Sequence, residues 1–330
     1  MNKLTITSKG KIIVIVAAAI IVLGILGMVV SYIFKDNPDI GLRWGIDFTG
    51  GTVFNFSIKR DVSQNDLDKV EEIVRNVTGE TPSLVQKTTV TAVDTEILNS
   101  TDIIIVKCNT DKNEDRRAIL AELAKEFSLP FSSDGEDGEE NVDASKIDWL
   151  LSSDSVGPAA ASDLLRSAVI ATVIAAVLML AYISIRFDLF SGIAAVVALL
   201  HDVSMMIICN LIFGVQINLP FIAAVLTILG YSINATIIIF DRIRENNRLM
   251  PNATSQEVAE KSIRQTMRRS IFTSVTTLFT IFILYILSVP SIREFSFPII
   301  VGIIAGFYSS VFVSGNVWIL LKNKFSKKKN

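Results

Sequence analysis

Gly230-Tyr231-Ser232-Ile233-Asn234-Ala235-Thr236-Ile237-Ile238-Ile239-Phe240-Asp241-Arg242-Ile243-Arg244-Glu245-Asn246 begins inside a long apolar run and ends in a dense polar cluster. On a helix, Thr227, Tyr231, Asn234, Ile238 and Asp241 follow at spacings of four, three, four and three, so they share one face. A polar file on a membrane helix is expensive unless it meets protein or water. Two readings are open: polar contact between packed helices, or an ion path.

Half of the 330 residues are hydrophobic and 19% are charged, too apolar a balance for an ordinary soluble domain. The formal net charge of −2 conceals an asymmetry. Residues 35–163 carry 26 Asp/Glu against 13 Lys/Arg, and the remainder carries 7 against 18. The bases flank apolar runs instead of gathering on one folded face, which argues against nucleic acid as a partner. Two distant cysteines, Cys108 and Cys209, imply no disulfide framework. With a single histidine they make a zinc site improbable. No Gly-x-x-x-x-Gly-Lys-Ser/Thr loop is present to cradle phosphates, and no cofactor is expected.

Lys3, Lys9 and Lys11 precede an apolar run from Ile12 to Phe34, long enough to span a bilayer and longer than a signal-peptide core. Residues 1–34 therefore read as a cytoplasmic N-terminus with a retained first helix. Residues 35–163 read as one external α+β domain. Its first helix opens at Ser63 with Asp66 and presents Leu67, Val70, Ile73, Val74 and Val77 on one face. Its second opens near Asp111 with Glu114 and presents Ile119, Leu120, Leu123 and Phe127. Strand-like runs cover Gly51–Ile58, Ser83–Val93, Ile103–Cys108 and Ala144–Leu151. The order β-α-β-β-α-β is that of a ferredoxin-like sandwich. The acidic tract 134–140 reads as a solvated loop, since it lacks the glutamate that closes a calcium loop.

Residues 164–330 are mostly membrane, with apolar runs at 168–185, 190–213, 219–240, 271–289 and 297–321. With the first helix, that predicts a polytopic α-helical membrane protein of six transmembrane helices. The loop 241–270 and the C-terminal tail are basic. Helix parity from a cytoplasmic start puts both inside and the acidic domain outside, as the charge rule requires. Within the loop, Thr254 and Glu257 form a capping box, with Ala259, Ile263 and Met267 along one face; an interfacial helix lying on the membrane is the expectation, with a partner-docking site as the alternative.

Three features lie at membrane depth. Asp202, beside His201, sits near the middle of the third helix, where an aspartate costs about 2.5 kcal/mol or more on insertion scales. Asn234 and Asp241 lie on the fourth. Arg269 opens the fifth, and Thr273, Thr277 and Thr280 continue its face. Arg269 can snorkel, and the hydroxyls can back-bond to helical carbonyls. Taken together, an acid, an amide and an Arg-hydroxyl file point to a proton relay. Gly302 and Gly306 have the spacing of tight helix packing.

These segments resemble the SecF family, subunits of the SecDF auxiliary complex of bacterial protein export. Gly45-Ile46-Asp47-Phe48-Thr49-Gly50-Gly51 is similar to the family's Asp/Phe-Thr-Gly-Gly signature, and Ser155-Val156-Gly157-Pro158 to the entry into its second helix. His201-Asp202 is similar to the His-Asp pair of the third helix. Gly230-Tyr231-Ser232-Ile233-Asn234, followed by Phe240-Asp241-Arg242-Ile243-Arg244-Glu245-Asn246, is the most specific match. Gln265 to Ser270 resembles the opening of the fifth helix. The resemblance implies half of a resistance-nodulation-division fold in the cytoplasmic membrane, both termini cytoplasmic. It implies SecD, the SecYEG translocon and a YajC-like accessory subunit as partners, with an unfolded translocating polypeptide as client. Coupling of ion flow to late translocation, not enzymatic catalysis, is the implied activity. A half-transporter of the same superfamily that moves a lipid or small solute is the alternative. Where the family pattern has an aspartate after the helix-four asparagine, this chain has Ala235.

Overall fold

The computed structural model describes residues 7, 10–33, 43–82, 84–94, 97–130, 147–288 and 290–326. In chain order the elements begin with α1 (Gly10–Ile33), α2 (Ile46–Thr49), β1 (Gly51–Phe56), α3 (Gln64–Thr78), β2 (Leu84–Asp94), β3 (Ile97–Cys108), α4 (Asn113–Glu126) and β4 (Leu150–Val156). There follow α5 (Pro158–Arg186), α6 (Leu189–Phe213), α7 (Leu219–Leu249), α8 (Ser255–Leu287), α9 (Pro290–Tyr308), a π-helical segment (Ser309–Ser314) and α10 (Gly315–Ser326). The chain divides into two compact units, Arg43–Ser167 and the remainder, Met1–Leu42 with Ala168–Asn330.

The first of these units holds a four-stranded sheet in the order β2-β3-β1-β4, every neighbour antiparallel. Strand alternation does the sorting. Phe54 and Phe56 of β1 and Ile104 and Val106 of β3 point to one face and are fully buried. There they meet Val70 and Val74 of α3 and Ile119, Leu120 and Leu123 of α4 in one core. Residues between them, such as Val53 and Ile105, are only half-buried, as expected of a sheet with helices on one face. Trp149 closes the core edge-on to Phe56 at 5.8 Å, its indole N–H donating to the Pro130 carbonyl at 2.9 Å. The β-α-β-β-α-β order read from the sequence is the observed one.

Ends of elements follow local chemistry. Ser63 and Asp66 form the expected capping box on α3, and Gly79 ends that helix at φ +74, a conformation glycine adopts without strain. The helix expected near Asp111 starts instead at Asn113, with no side-chain cap. Asp115, in its first turn, is engaged by the Thr110 hydroxyl at 2.7 Å. The last strand begins at Leu150, because Asp148 and Trp149 form a turn; the earlier part of that expected strand, 144–146, and the acidic tract 134–140 lie outside the described residues.

Among the described residues, six helices are long and apolar enough to cross a membrane: Gly10–Ser31, Pro158–Arg186, Leu189–Phe213, Leu219–Leu249, Ser255–Leu287 and Ile292–Phe325. The third, fourth and sixth form the interior, and the others are largely uncovered by this chain. Glycines set the close approaches. A Cβ at Gly302 would lie 2.5 Å from Ile228 Cγ1, one at Gly306 3.1 Å from Ser232 Cβ, and one at Gly24 2.5 Å from Ser204 Cβ. The Gly302/Gly306 pair thus seats α9 directly on α7.

The structure corrects one expectation: residues 254–269 do not form a separate interfacial helix. The Thr254–Glu257 capping box starts α8 itself, which continues unbroken for 33 residues, about 50 Å at 1.5 Å per residue. That exceeds a hydrocarbon core of about 30 Å, so its first turns project beyond it. Val258, Ala259 and Ile263 are buried against the bundle, which removes the apolar face that would have lain on lipid. Asn246 fastens the hairpin by donating to Ser262 Oγ at 2.8 Å and Gln265 Oε1 at 2.7 Å.

Candidate ion-handling site

Asp202 is fully buried at the centre of α6, and both carboxylate oxygens are engaged. Ser232 of α7 donates its hydroxyl to Oδ2 at 2.6 Å. Ser309 donates to the same oxygen at 2.9 Å. His201 Nδ1 lies 3.1 Å from Oδ1. Ser309 is the first residue of the π-helical segment, a wide turn that recurs at functional sites. Tyr308 lies against the His201 imidazole at 5.7 Å between ring centroids. Three helices therefore converge on one acid, and the absent side chain of Gly306, whose Cβ would stand 3.6 Å from Asp202 Oδ2, leaves room for it.

The other proposed relay residues lie elsewhere. Ser232 and Asn234 are two residues apart on α7, a rotation of about 200° at 3.6 residues per turn. Ser232 is buried toward Asp202 while Asn234 is exposed. Thr227 and Asp241 share the exposed face, with Tyr231 and Ile238 half-buried along it. The file read from spacing is thus one face, but an uncovered one. Arg269 on α8 is exposed. Tyr231 connects the two helices, its hydroxyl donating to the Thr273 carbonyl at 3.2 Å and lying 3.4 Å from Thr277 Oγ1. The threonines back-bond: Thr273 to the Arg269 carbonyl at 2.9 Å, Thr277 to Thr273 at 2.9 Å and Thr280 to Thr276 at 3.1 Å. Arg242 is held by Gln265 at 2.7 Å and by Glu245, which places it in the α7–α8 hairpin.

The Gly45–Gly51 motif has a backbone explanation. Gly45 caps the single turn α2, whose Ile46 and Phe48 are buried, Phe48 against Trp44 at 6.3 Å. The chain then enters β1 through Gly50 at φ +80 and Gly51 at φ +141, values that side chains other than hydrogen rarely allow. A Cβ on Gly51 would run into the Cys108 carbonyl oxygen, and one on Gly50 would lie 3.2 Å from the Val156 carbonyl and 3.4 Å from Pro158. Thr49 donates its hydroxyl to the Gly50 carbonyl at 3.1 Å. Asp47 is half-buried in the same turn. Gly157 and Pro158 link the last strand to α5, with proline at the first helical position, where its missing N–H is not needed. The motif therefore fixes how the sheet begins, next to where the second long helix begins.

Ser232, Ser309 and the π turn escaped the sequence reading. Ser232 stood inside the opening stretch but off the polar stripe. Serines are common in membrane helices and carry no periodic signal.

Comparisons agree over most of the chain. A family model described as protein export membrane protein SecD/SecF, C-terminal, matches residues 139–324, and another described as the SecD/SecF GG motif matches residues 39–62. Protein translocase subunit SecF of Sebaldella termitidis is 34% identical over 288 residues, covering 87% of this chain and 84% of that protein. SecF of Acidaminococcus fermentans is 30% identical over 328 residues, 99% of this chain and all of its own. SecDF of Thermus thermophilus is 33% identical over 86% of this chain, which spans only 35% of that longer protein. The crystal structure of SecDF in super-membrane-facing form superposes with a TM-score of 0.67 at 29% identity, over all of this chain and 40% of that one. On these matches and on six spans joined to a ferredoxin-like domain, the chain belongs to the SecD/SecF family of protein-export membrane proteins, in its SecF line.

Proposed function

We propose that this multi-pass protein is the SecF subunit of a SecDF complex that assists SecYEG-dependent export, coupling ion-motive force to late steps of moving an unfolded polypeptide. The observation that carries this reading is the uncovered polar face. Thr227, Asn234 and Asp241 on α7 and Arg269 on α8 are exposed in a bundle built for a membrane. Polar groups at that depth need protein or water beside them, and the complementary six-helix half supplied by SecD would provide both. An acid from that partner would also answer Arg269, since Ala235 cannot. Asp202, Asn234, Arg269 and Asp241 are the residues proposed to handle the ion, the first inside this subunit and the others along its interface. The cytoplasmic membrane, cytoplasmic termini and an external position for residues 35–163 complete the proposal, with a YajC-like subunit as a further partner.

Reconstitution tests it. The chain should co-purify with SecD, and proteoliposomes holding both with SecYEG should show ion flux and faster late translocation, both reduced at least tenfold by Arg269→Gln. Co-purification with another six-helix partner, with transport of a lipid or small solute instead, would overturn the export reading. For topology, a membrane-impermeant thiol reagent on wall-stripped cells should reach a cysteine at Ser133 and not one at Asn252.

A further inference from the structure

We propose that His201 and Asp202 form a proton-holding dyad inside the bundle, a site separate from the exposed Asn234–Arg269 face. His201 is 1% exposed and Asp202 is 0%, so water does not reach either side chain in this arrangement. Nδ1 faces Asp202 Oδ1 at 3.1 Å, while the other ring nitrogen, Nε2, is buried with no hydrogen-bond partner among the described residues. A buried polar atom left unpaired is unusual and calls for an explanation. Here it follows from the tautomer. When Nδ1 donates to an ionised Asp202, Nε2 is a bare acceptor and the pair carries one negative charge. One added proton gives an imidazolium–carboxylate pair or its neutral equivalent, with no net charge. The step is proton uptake alone: an N–H bond forms at the ring and no electrons move.

Among the described residues no cation lies against Asp202 to compensate the charge. Beyond His201, the groups that face Asp202 are the Ser232 and Ser309 hydroxyls, and Tyr308 lies against the ring. The sequence of the helices packed on α6 carries no Asp, Glu, Lys or Arg after Lys11 in α1, between Leu219 and Phe240 in α7, or between Glu294 and Lys322 in the last span. Two hydroxyl donors stabilise a carboxylate, but a lone charge far from water remains costly. The proton is therefore the ligand this site is built to take and release. Ser309 ties the site to the π segment Ser309–Ser314, so that turn is where a change in the dyad's charge is first felt.

The proposal builds on the reading of Asp202 as an ion-handling residue, and its test reads the ring instead of flux. The chain has one histidine, so labelling this chain alone with 15N-histidine and pairing it with unlabelled SecD in nanodiscs reports a single site. The two ring resonances should change between protonated and unprotonated patterns as the sample pH is varied. Asp202→Asn should move that midpoint by at least one pH unit, a tenfold change in proton affinity. Asp202→Glu, which retains the acid, should keep a titrating ring if the Asn variant fails to fold. Arg269→Gln, expected to stop flux, should leave the His201 titration in place. A ring fixed in one state across the range, or a midpoint indifferent to Asp202→Asn, would overturn the dyad. Absence of ion flux and of faster translocation in the reconstituted parent complex, with an intact His201 titration, would instead overturn the export mechanism alone.

Discussion

Gly302→Ala should destabilise the membrane unit, and the size of the effect follows from the geometry. A Cβ there would sit 2.5, 2.9 and 2.9 Å from Cγ1, Cδ1 and Cγ2 of Ile228. Carbon atoms prefer about 3.5–4.0 Å, so the overlap is about 1 Å. Ile228 is 1% exposed and β-branched, so its rotamers are restricted. Relief requires α9 to back away from α7, and overpacking of this kind costs about 1–3 kcal/mol. Replacing a helical glycine by alanine returns about 0.5–1 kcal/mol, leaving a net loss of up to about 2.5 kcal/mol, toward the upper end for an overlap this large. Gly230→Ala, on the facing helix α7, is the control: a Cβ there meets nothing within 4 Å, so only the gain applies. Unfolding of the purified chain in detergent, followed by tryptophan fluorescence, should rank the proteins Gly230→Ala, parent, Gly302→Ala. A Gly302→Ala protein as stable as Gly230→Ala would refute the close approach of α9 to α7, and with it the placement of Ser309 beside Asp202.

Three other outcomes are expected. Burial raises the Asp66 carboxyl, but the Ser63 backbone N–H and hydroxyl and the Arg60 guanidinium outweigh it and hold its pKa below the usual value; the stability this gives the α+β domain is complete above about pH 3.9 and lost as pH falls through the lower folded value. Asp66→Ala should remove about 1–2 kcal/mol with the capping box and flatten that acid limb in circular-dichroism titrations, whereas an unchanged limb would assign it to other carboxylates. Burial pushes the Cys108 thiol up to about 11, so a maleimide near neutral pH should label it only after denaturation, and fast labelling of the folded protein would contradict the core packing. Ala235→Asp should raise ion flux in reconstituted complex by restoring an acid beside Asn234, and a folded variant with unchanged flux would take position 235 out of the path.

Much was legible in the sequence because it is written locally. Each membrane span is a run whose hydropathy needs no neighbour to be read, and bases against acids gave the expected sidedness without any contact. The α+β domain declared itself through strand-like runs, two helical stripes and a capping box in the order β-α-β-β-α-β, while the order of strands across the sheet, β2-β3-β1-β4, came from the structure. The Thr-Gly-Gly segment was recognisable as a motif, although only positive φ at Gly50 and Gly51 explains why glycine stands there. What required the tertiary structure was the direction in which each face points. Spacing put Thr227, Tyr231, Asn234 and Asp241 on one stripe of α7, but helical geometry alone does not say whether a stripe meets protein. Packing of α9 on the opposite side, through Gly302 and Gly306, buries Ser232 and leaves Asn234 outside. The same packing joins Asp202 to Ser309, 107 positions away in sequence, and that distance is why no local pattern announced the pair. Likewise the capping box at Thr254 correctly marked a helix start, yet only burial of Val258, Ala259 and Ile263 turned an expected surface helix into the first turns of a membrane span.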